Sequence, residues 1–299
     1  MNQLPFDQPG RFYRGNLHTH STRSDGRLSP AEVVAAYRDH GYDFLALTDH
    51  FLERYQFPVV DTREFRTASF TTLLGAELHA PRIELGVNWH ILAVGLPLDF
   101  APTGATETGP ELARRAANAG AFIGIAHPAW YGLTLADALS IDSAHAVEIF
   151  NQTCATYNDR GDGWSMEDML LARGQRLLAY AADDAHFSTR LDYRAAWIQV
   201  RSESLDPDAL LAAIKAGHFY SSQGPEIHDV RIDGERLRVI SSPAQAVYVA
   251  GRAAAAEQQA GQGIVRSEFS LRQFAGSYCR VTVVDAAGRR AWTNPIWLD

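Results

Sequence analysis

Residues 14–26 read RGNLHTHSTRSDG, a short apolar run that ends in polar residues capable of chemistry. His18 and His20 stand one residue apart, and Asp25 follows among residues that favour turns. Side chains of a β-strand alternate between its two faces, so His18 and His20 would point the same way, about 7 Å apart along the backbone. The two imidazoles could therefore bind one metal ion.

Similar apolar runs recur along the chain, and several of them end in a polar residue that can take part in chemistry. Runs of Leu, Ile, Val, Phe and Ala of this length are typical of buried parallel strands. The seven predicted strands are RGNLHTH, YDFLALTDH, TTLLGAELH, WHILAVG, AFIGIAHP, HAVEIFN and RLLAYAADDAH.

Helix patterns with clear start and stop signals lie between these runs. Ser29 is the predicted N-cap of the first helix, Pro30 takes its first position, and Glu32 completes a capping box. Gly41 ends this helix. Three further helices, each stopped by a glycine, are predicted over residues 110–120, 165–174 and 206–217.

The alternation of strands and helices indicates an α/β fold. A barrel is favoured over an open doubly wound sheet, because the chemistry of α/β barrels lies at the C-terminal ends of their strands, where the polar residues fall here. Beyond about residue 225, apolar and polar residues alternate around the turn pairs Asp233-Gly234 and Ala287-Gly288, as in antiparallel strands. We predict a barrel over residues 1–225 and a small β-rich C-terminal domain over residues 226–299.

The composition narrows the possible functions. The chain has 299 residues, 46% hydrophobic and 21% charged, which is typical of a globular protein. Its net charge of −8 argues against binding to duplex nucleic acid. Two distant cysteines, Cys154 and Cys279, argue against a disulfide framework. Because we find no secretion signal and no membrane-spanning run, we expect a cytoplasmic protein that acts on a small molecule, without a membrane partner.

Residues that can bind metal ions cluster at the predicted strand ends. Asp184 and His186, in YAADDAH, repeat the alternation of His18 and His20. Imidazoles and carboxylates without thiolates suit Zn²⁺, Mn²⁺ or Fe²⁺. Two ions about 3.5–4 Å apart can hold a bridging hydroxide as nucleophile, which indicates a hydrolase. Four further residues of these types lie at comparable places on other strands: His50, Glu77, His90 and His127.

The motifs HTHSTRSDG, FLALTDH, GAE, WHILAVG, AHP and DDAH follow one another in a familiar order. In this order the chain resembles, over residues 14–225, the polymerase and histidinol phosphatase (PHP) family of metal-dependent phosphoesterases. The resemblance implies a distorted (β/α)7 TIM-like barrel with up to three metal ions on nine ligands. The stretches VEIFNQTCA, GHFYSSQGPEI and AWTNPIWL are similar to the carbaryl-hydrolase-like (CehA/McbA-type) branch.

The resemblance implies three groups of ligands. The first ion would be bound by His18, His20 and Asp184. Glu77 would bridge to a second ion, which His90 and His127 complete. The third ion would take Asp25, His50 and His186.

We therefore expect a phosphoesterase of small phosphorylated metabolites or nucleotides that uses a metal-bridging hydroxide. Catalysis is expected to depend on Asp184, Glu77 and His20. The residues expected to meet an anionic substrate are Arg23, Arg82 and His79. Two alternatives stay open. The same hydroxide could attack the carbonyl of a carbamate, carboxylic ester or amide, or the chain could be a metal-stabilised binding module without turnover.

Overall fold

A computed structural model describes residues 4–188 and 191–298. These residues form a mixed α/β fold with one sheet of sixteen strands and six α-helices. The strands are β1 (Arg11–Asn16), β2 (Phe44–Leu47), β3 (His50–Phe51), β4 (Thr71–Leu78), β5 (Ile91–Val94), β6 (Phe122–Ile125), β7 (Ala146–Asn151), β8 (Leu178–Ala182), β9 (Trp197–Ser202), β10 (Phe219–Ser222), β11 (Ile227–Asp233), β12 (Arg236–Gly251), β13 (Ala256–Ser270), β14 (Tyr278–Val284), β15 (Arg290–Thr293) and β16 (Ile296–Trp297).

The helices are short and lie between the strands. They are α1 (Pro30–Arg38), α2 (Gly109–Asn118), α3 (Leu135–Ser140), α4 (Gln152–Asn158), α5 (Trp164–Leu171) and α6 (Pro207–Lys215). Single 3₁₀ turns span Pro5–Asp7, Glu53–Tyr55, Arg63–Phe65 and Arg272–Phe274. None of the helices in the described part of the chain is long and apolar enough to span a membrane.

Local sequence signals account for most of these elements. The seven predicted strands are confirmed as β1 to β8, with YDFLALTDH divided into β2 and β3. The four predicted helices are confirmed as α1, α2, α5 and α6. In α1 the Ser29 side chain accepts the backbone N–H of Glu32, and the Glu32 side chain accepts the backbone N–H of Ser29, as the capping box predicts. Helices α3 and α4 were not predicted.

The direction of β5 brings one more strand end to the site. Strands β1, β2 and β4 run parallel, and so do β6, β7 and β8, but β5 is antiparallel to both β4 and β6. The N-terminal end of β5 therefore lies at the edge where β4 and β6 have their C-terminal ends. His90, just before β5, consequently reaches the same edge as Glu77 and His127.

The sheet does not close into the predicted (β/α)7 TIM-like barrel. Its order is β11-β12-β14-β15-β10-β9-β1-β2-β4-β5-β6-β7-β8, and within the described residues β8 forms no ladder with β9 or β10. Side chains take the bonds that a neighbouring strand would make. The N–H of Ala181 donates to the Ser221 hydroxyl at 3.0 Å, and the N–H of Ala179 donates to Asn294 Oδ1 at 2.8 Å. The α/β class is confirmed, but the closed barrel was wrong.

The C-terminal strands continue this sheet. The predicted antiparallel hairpins around Asp233-Gly234 and Ala287-Gly288 are confirmed by the pairing of β11 with β12 and of β14 with β15. Strand β15 also pairs with β10, through Tyr220 and Thr293, so both regions share one sheet. The domain division at residues 225 and 226 stays a prediction, and its outer ends, residues 1 and 299, lie outside the described residues.

Candidate metal centre

The nine predicted ligands lie together at one edge of the sheet. Glu77 is the last residue but one of β4, His50 begins β3, and the other side chains lie in the segments just before or after β1, β5, β6 and β8. Thr19, between His18 and His20, forms a parallel bridge with Ala185, which places these two segments side by side. Groups drawn from the nine residues, with His79, hold atoms within 4.8 Å of one another that could bind metal ions.

Four buried atoms form the middle of the site. Nε2 of His20 lies 2.9 Å from Asp184 Oδ1, and Nε2 of His18 lies 3.3 Å from the same oxygen. Both nitrogens lie 3.6 Å from Glu77 Oε2. Although these four atoms are so close, none of them makes a hydrogen bond with a described residue. Two imidazole nitrogens that each lie within 3.6 Å of two carboxylate oxygens, without a hydrogen bond, are the arrangement that a bound cation would satisfy. A third imidazole nitrogen, His50 Nδ1, lies 2.7 Å from Glu77 Oε2.

Glu77 faces a second group with its other oxygen. Its Oε1 atom lies 2.6 Å from His90 Nδ1 and 3.1 Å from His127 Nε2. The Glu77 side chain is fully buried, so neither oxygen is free for solvent. The carboxylate therefore separates two sets of imidazoles, as expected of a ligand that bridges two ions.

A third group lies nearer the surface. Asp25 Oδ2 is 3.4 Å from His50 Nε2, and Asp25 Oδ1 is 3.4 Å from His186 Nε2. His20 joins these three residues in one group of possible ligands. The Asp25 side chain is 39% exposed, in contrast to the buried middle of the site, so an ion here would be the most accessible to solvent.

The middle of the site fits a divalent ion. Two ligands bound at 2.0–2.1 Å to a tetrahedral ion lie about 3.3–3.4 Å apart. The four distances from the two nitrogens to the two oxygens, 2.9–3.6 Å, bracket this value. A buried polar atom without a hydrogen bond costs about 1–3 kcal/mol. The donor set, nitrogen and oxygen without sulfur, suits Zn²⁺, Mn²⁺ or Fe²⁺.

The carboxylates of the site are held in their charged forms. Burial favours the neutral acid of Glu77, but the imidazoles of His50 and His90 outweigh it and hold the pKa well below its usual range. Burial of Asp184 is likewise outweighed by His18 and His20, which lower its pKa. Both residues therefore keep their negative charge at neutral pH.

The pKa values of the imidazoles are shifted in opposite directions. Burial lowers the pKa of His20 to about 3, with further lowering by His186 and His50, so His20 is neutral. Burial of His50 is outweighed by Glu77 and Asp25, which raise its pKa to about 10, and Asp25 contributes to raising the pKa of His186 to about 9 against its burial. The carboxylates Glu77 and Asp25 thus favour positive charge beside His50 and His186, whereas burial disfavours it at His20.

Two of the predicted ligands have a strained backbone. His127 has φ of 24° and Asp184 has φ of 55°, in the left-handed region that residues other than glycine seldom adopt. Each such conformation costs on the order of 1–3 kcal/mol and persists only where surrounding contacts enforce it. Strain of this kind concentrates at functional sites.

Glu148 and Asn151 contact the ligands and were missed in the sequence. Glu148 lies in β7 and is fully buried, and its Oε1 atom is 3.0 Å from His18 Nδ1. Asn151 donates from Nδ2 to Glu148 Oε2 at 2.9 Å and to Asp184 Oδ2 at 3.0 Å. The signal that could have found them is a carboxyl and an amide inside the otherwise apolar strand HAVEIFN.

The ligand-bearing loop is held from its other side by Asp49. This carboxylate accepts the backbone N–H of Ser21 at 2.8 Å, the Ser21 hydroxyl at 2.7 Å and the Ser24 hydroxyl at 2.6 Å. The turn that carries Asp25 back towards the site therefore depends on a residue one position before His50 in the TDH motif.

A cleft of about 520 Å³ opens onto the ligands. Arg27 and Arg54 line it, whereas the predicted substrate contacts Arg23 and Arg82 are exposed and lie outside the described lining. His79 lines the cleft, but its Nε2 atom lies 2.8 Å from Nδ1 of the predicted ligand His50. The rest of the lining is Asp25, His50, Leu52, Asn88, His90, His127, Trp130, Thr153, Cys154, Tyr157, Asp184, His186 and Ser188.

Comparison with known proteins supports the fold. No protein-family model and no curated protein matches the sequence. A solved two-domain protein from Bacteroides vulgatus, which contains a predicted PHP-like metal-dependent phosphoesterase, matches with a TM-score of 0.56 and 14% identity over 93% of both chains. An amidohydrolase from Chromobacterium violaceum, solved with sulfate and no metal, matches 57% of this chain and 87% of its own with 16% identity. The TM-score of this second match is 0.41.

The first match shows that the chain shares the fold of a PHP-like protein over nearly its whole length. Because the two sequences are only 14% identical, the likeness shows a shared fold and nothing more. The assignment to the CehA/McbA-type branch and the roles of the individual site residues stay predictions.

Proposed function

We propose that this protein is a metal-dependent hydrolase, specifically a phosphoesterase that acts on small phosphorylated metabolites or nucleotides. The observation that carries the proposal is the convergence of four buried atoms without hydrogen bonds, on His18, His20, Glu77 and Asp184. Their separations match those of ligands on one divalent ion. The structural likeness to a chain that contains a predicted PHP-like metal-dependent phosphoesterase agrees with this function.

Ions bound in this site would activate a water molecule and neutralise charge on the attacked group. The residues of the chain hold and orient the reactants. Glu77 keeps two groups of imidazoles on opposite oxygens. Of the two carboxylates in the middle of the site, Asp184 lines the cleft and Glu77 is buried behind it, so Asp184 is the one of these two that an attacking water can reach. We assign Asp184, which is held in its charged form, to accept the proton from that water.

The cleft favours an anionic substrate. Arg27 and Arg54 line it, and neither guanidinium has an ion-pair partner among the described residues. Guanidinium groups bind phosphate through paired, charge-assisted hydrogen bonds, whereas a neutral carbamate offers no such partner. Trp130 and Tyr157 also line the cleft and offer aromatic faces for a base or another ring of the substrate.

A substrate panel tests this proposal. The protein, supplied with Mn²⁺ or Zn²⁺, should release phosphate from at least one class of small phosphomonoester, and a chelator should abolish the release. Matched carboxylic esters and carbamates belong in the same panel, because the same nucleophile attacks carbonyl carbon. Turnover of those compounds alone would assign the chain to the other class of hydrolase, and turnover of none would contradict the proposal.

A binding module without turnover is the remaining competitor. In an enzyme, Glu77→Ala and His20→Ala should each destroy activity. In a binding module the same substitutions would only lower the melting temperature.

A further inference from the structure

We propose that Glu148 and Asn151 are positioning residues, which fix His18, His127 and Asp184 in the geometry that metal ions require. This inference rests on the metal-dependent function proposed above. The two residues, called here the Glu148–Asn151 pair, lie three positions apart in β7, of which Asn151 is the last residue. They belong to none of the groups of possible ligands among the described residues.

Glu148 determines which nitrogen of His18 is free. Its Oε1 atom is 3.0 Å from His18 Nδ1, and a carboxylate that is ionised can only accept a hydrogen bond. His18 therefore carries its hydrogen on Nδ1 and leaves the lone pair on Nε2. That nitrogen is the one that lies 3.3 Å from Asp184 Oδ1 and 3.6 Å from Glu77 Oε2. Carboxylates often fix metal-binding histidines in this way.

The second oxygen of Glu148 supports a strained ligand. Oε2 accepts the backbone N–H of His127 at 2.7 Å, at the residue whose φ is 24°. A buried N–H in this unfavourable conformation needs a strong acceptor, and a carboxylate supplies one. The Glu148 side chain therefore fixes both the orientation of the His18 ring and the backbone conformation of His127.

Asn151 extends the same support to Asp184. Its Nδ2 atom bonds both Glu148 Oε2 and Asp184 Oδ2, so Asp184 Oδ1 is left to face the imidazoles. Its Oδ1 atom accepts the backbone N–H of Cys154 at 2.8 Å and so caps α4. In the first turn of α4, the Thr153 hydroxyl bonds the backbone oxygen of Asp184, whose φ is 55°. The Asn151 amide thus fixes the orientation of Asp184 and also caps the start of α4.

The test is the affinity for Mn²⁺ and Zn²⁺ of the metal-free full chain, measured by calorimetry or competition with a chelator. Glu148→Gln keeps the shape of the side chain but replaces one acceptor oxygen with an NH₂ donor. His18 and the His127 N–H can then no longer both donate to it. We expect Kd to rise about 10- to 100-fold, the usual effect of losing such a contact, and the absorption spectrum of bound Co²⁺ to change.

Asn151→Ser is a second, independent variant. Serine is also a good N-cap, so α4 keeps its start, but the short side chain cannot reach Asp184. Weaker metal binding at an unchanged melting temperature of the metal-free protein would support positioning. Glu167→Gln serves as the control, because Glu167 is equally buried but contacts none of the ligands in the described structure, and its metal affinity should equal that of the parent.

The outcomes separate this inference from the proposed function. If folded Glu148→Gln binds both ions as tightly as the parent, with the same Co²⁺ spectrum, the inference is overturned. If Glu148→Gln does not fold, Asn151→Ser is tested in the same assay. Unchanged metal affinity of Asn151→Ser would likewise overturn the inference. Metal affinity that falls in the variants of a protein that cleaves no phosphoester would overturn the proposed function and leave the positioning role standing.

Discussion

The Nδ1 atom of His50 lies 2.8 Å from the Nε2 atom of His79. The other ring nitrogen of His79, Nδ1, is 2.9 Å from the backbone oxygen of Trp89, which can only accept a hydrogen bond. His79 therefore carries its hydrogen on Nδ1, and its Nε2 atom accepts from His50. This chain of bonds turns His50 Nε2 towards Asp25, at 3.4 Å.

From this relationship we predict that His79→Phe weakens the metal group near the surface. The phenyl ring keeps most of the volume but cannot accept from His50, so His50 Nδ1 loses one of its two contacts and keeps only the one with Glu77 Oε2, at 2.7 Å. The affinity for the weakest-bound ion should fall by about 10- to 100-fold, and KM for a phosphomonoester should change little. His40→Phe, at an exposed position away from the ligands, is the control. A raised KM with unchanged metal content would instead make His79 a substrate contact, as the sequence suggests.

A second prediction concerns the arginines. Arg27→Ala and Arg54→Ala should each raise KM for a phosphomonoester by about 10-fold, equivalent to about 1.4 kcal/mol, because the guanidinium groups line the cleft. A neutral ester of similar size should show no such change. Arg23→Ala and Arg82→Ala belong in the same assay, since the sequence predicts those two residues as contacts. A rise in KM confined to these latter variants would contradict the reading of the cleft.

The third prediction is a dependence of stability on pH that arises from Glu167. This side chain in α5 is fully buried, and neither carboxyl oxygen has a hydrogen-bond partner among the described residues. Burial, with a smaller effect of Asp168, raises the pKa of Glu167 well above its usual range, against the opposing effect of Arg280. A raised folded pKa contributes stability below the unfolded pKa, about 4.3, and this contribution is lost as the pH rises.

Glu167→Met should therefore stabilise the protein at pH 7 by about 1–3 kcal/mol, the usual cost of a buried polar group without a hydrogen bond. The gain should shrink as the pH falls through the unfolded pKa, because well below it the carboxyl of the parent protein is neutral in both the folded and the unfolded state. Denaturant unfolding at several pH values measures it, with the exposed Glu64→Met as control. A variant that is less stable than the parent at pH 7 would mean that the carboxyl has a partner.

Much of the site could be predicted from the sequence, for a physical reason. Ligand-type residues stood at the ends of apolar strands, and strands packed in one sheet bring their ends to common edges. His18, His50, Glu77 and Asp184 therefore needed only the right strand pattern to meet. His90 reached the same edge by another route, because β5 runs antiparallel to its neighbours.

The closure of the sheet could not be predicted in the same way. Whether β8 pairs with another strand depends on long-range contacts, and here Ser221 and Asn294 occupy its backbone N–H groups. Neither side chain carries a local signal for that role. Glu148 was missed for a related reason, since a single carboxyl within an apolar run predicts burial but not its partners. The cleft-lining positions of Arg27 and Arg54 depend on loop conformations that short motifs do not specify.

The central claim is that these imidazoles and carboxylates bind several divalent ions that activate water. Elemental analysis of the purified protein, before and after incubation with Mn²⁺ or Zn²⁺ and removal of free ions, tests it most directly. We predict two or three ions per chain, falling to one or none in Glu77→Ala, because Glu77 belongs to three of the groups of possible ligands. A folded parent protein that retains no metal after incubation, or a Glu77→Ala variant that retains the full complement, would contradict the account.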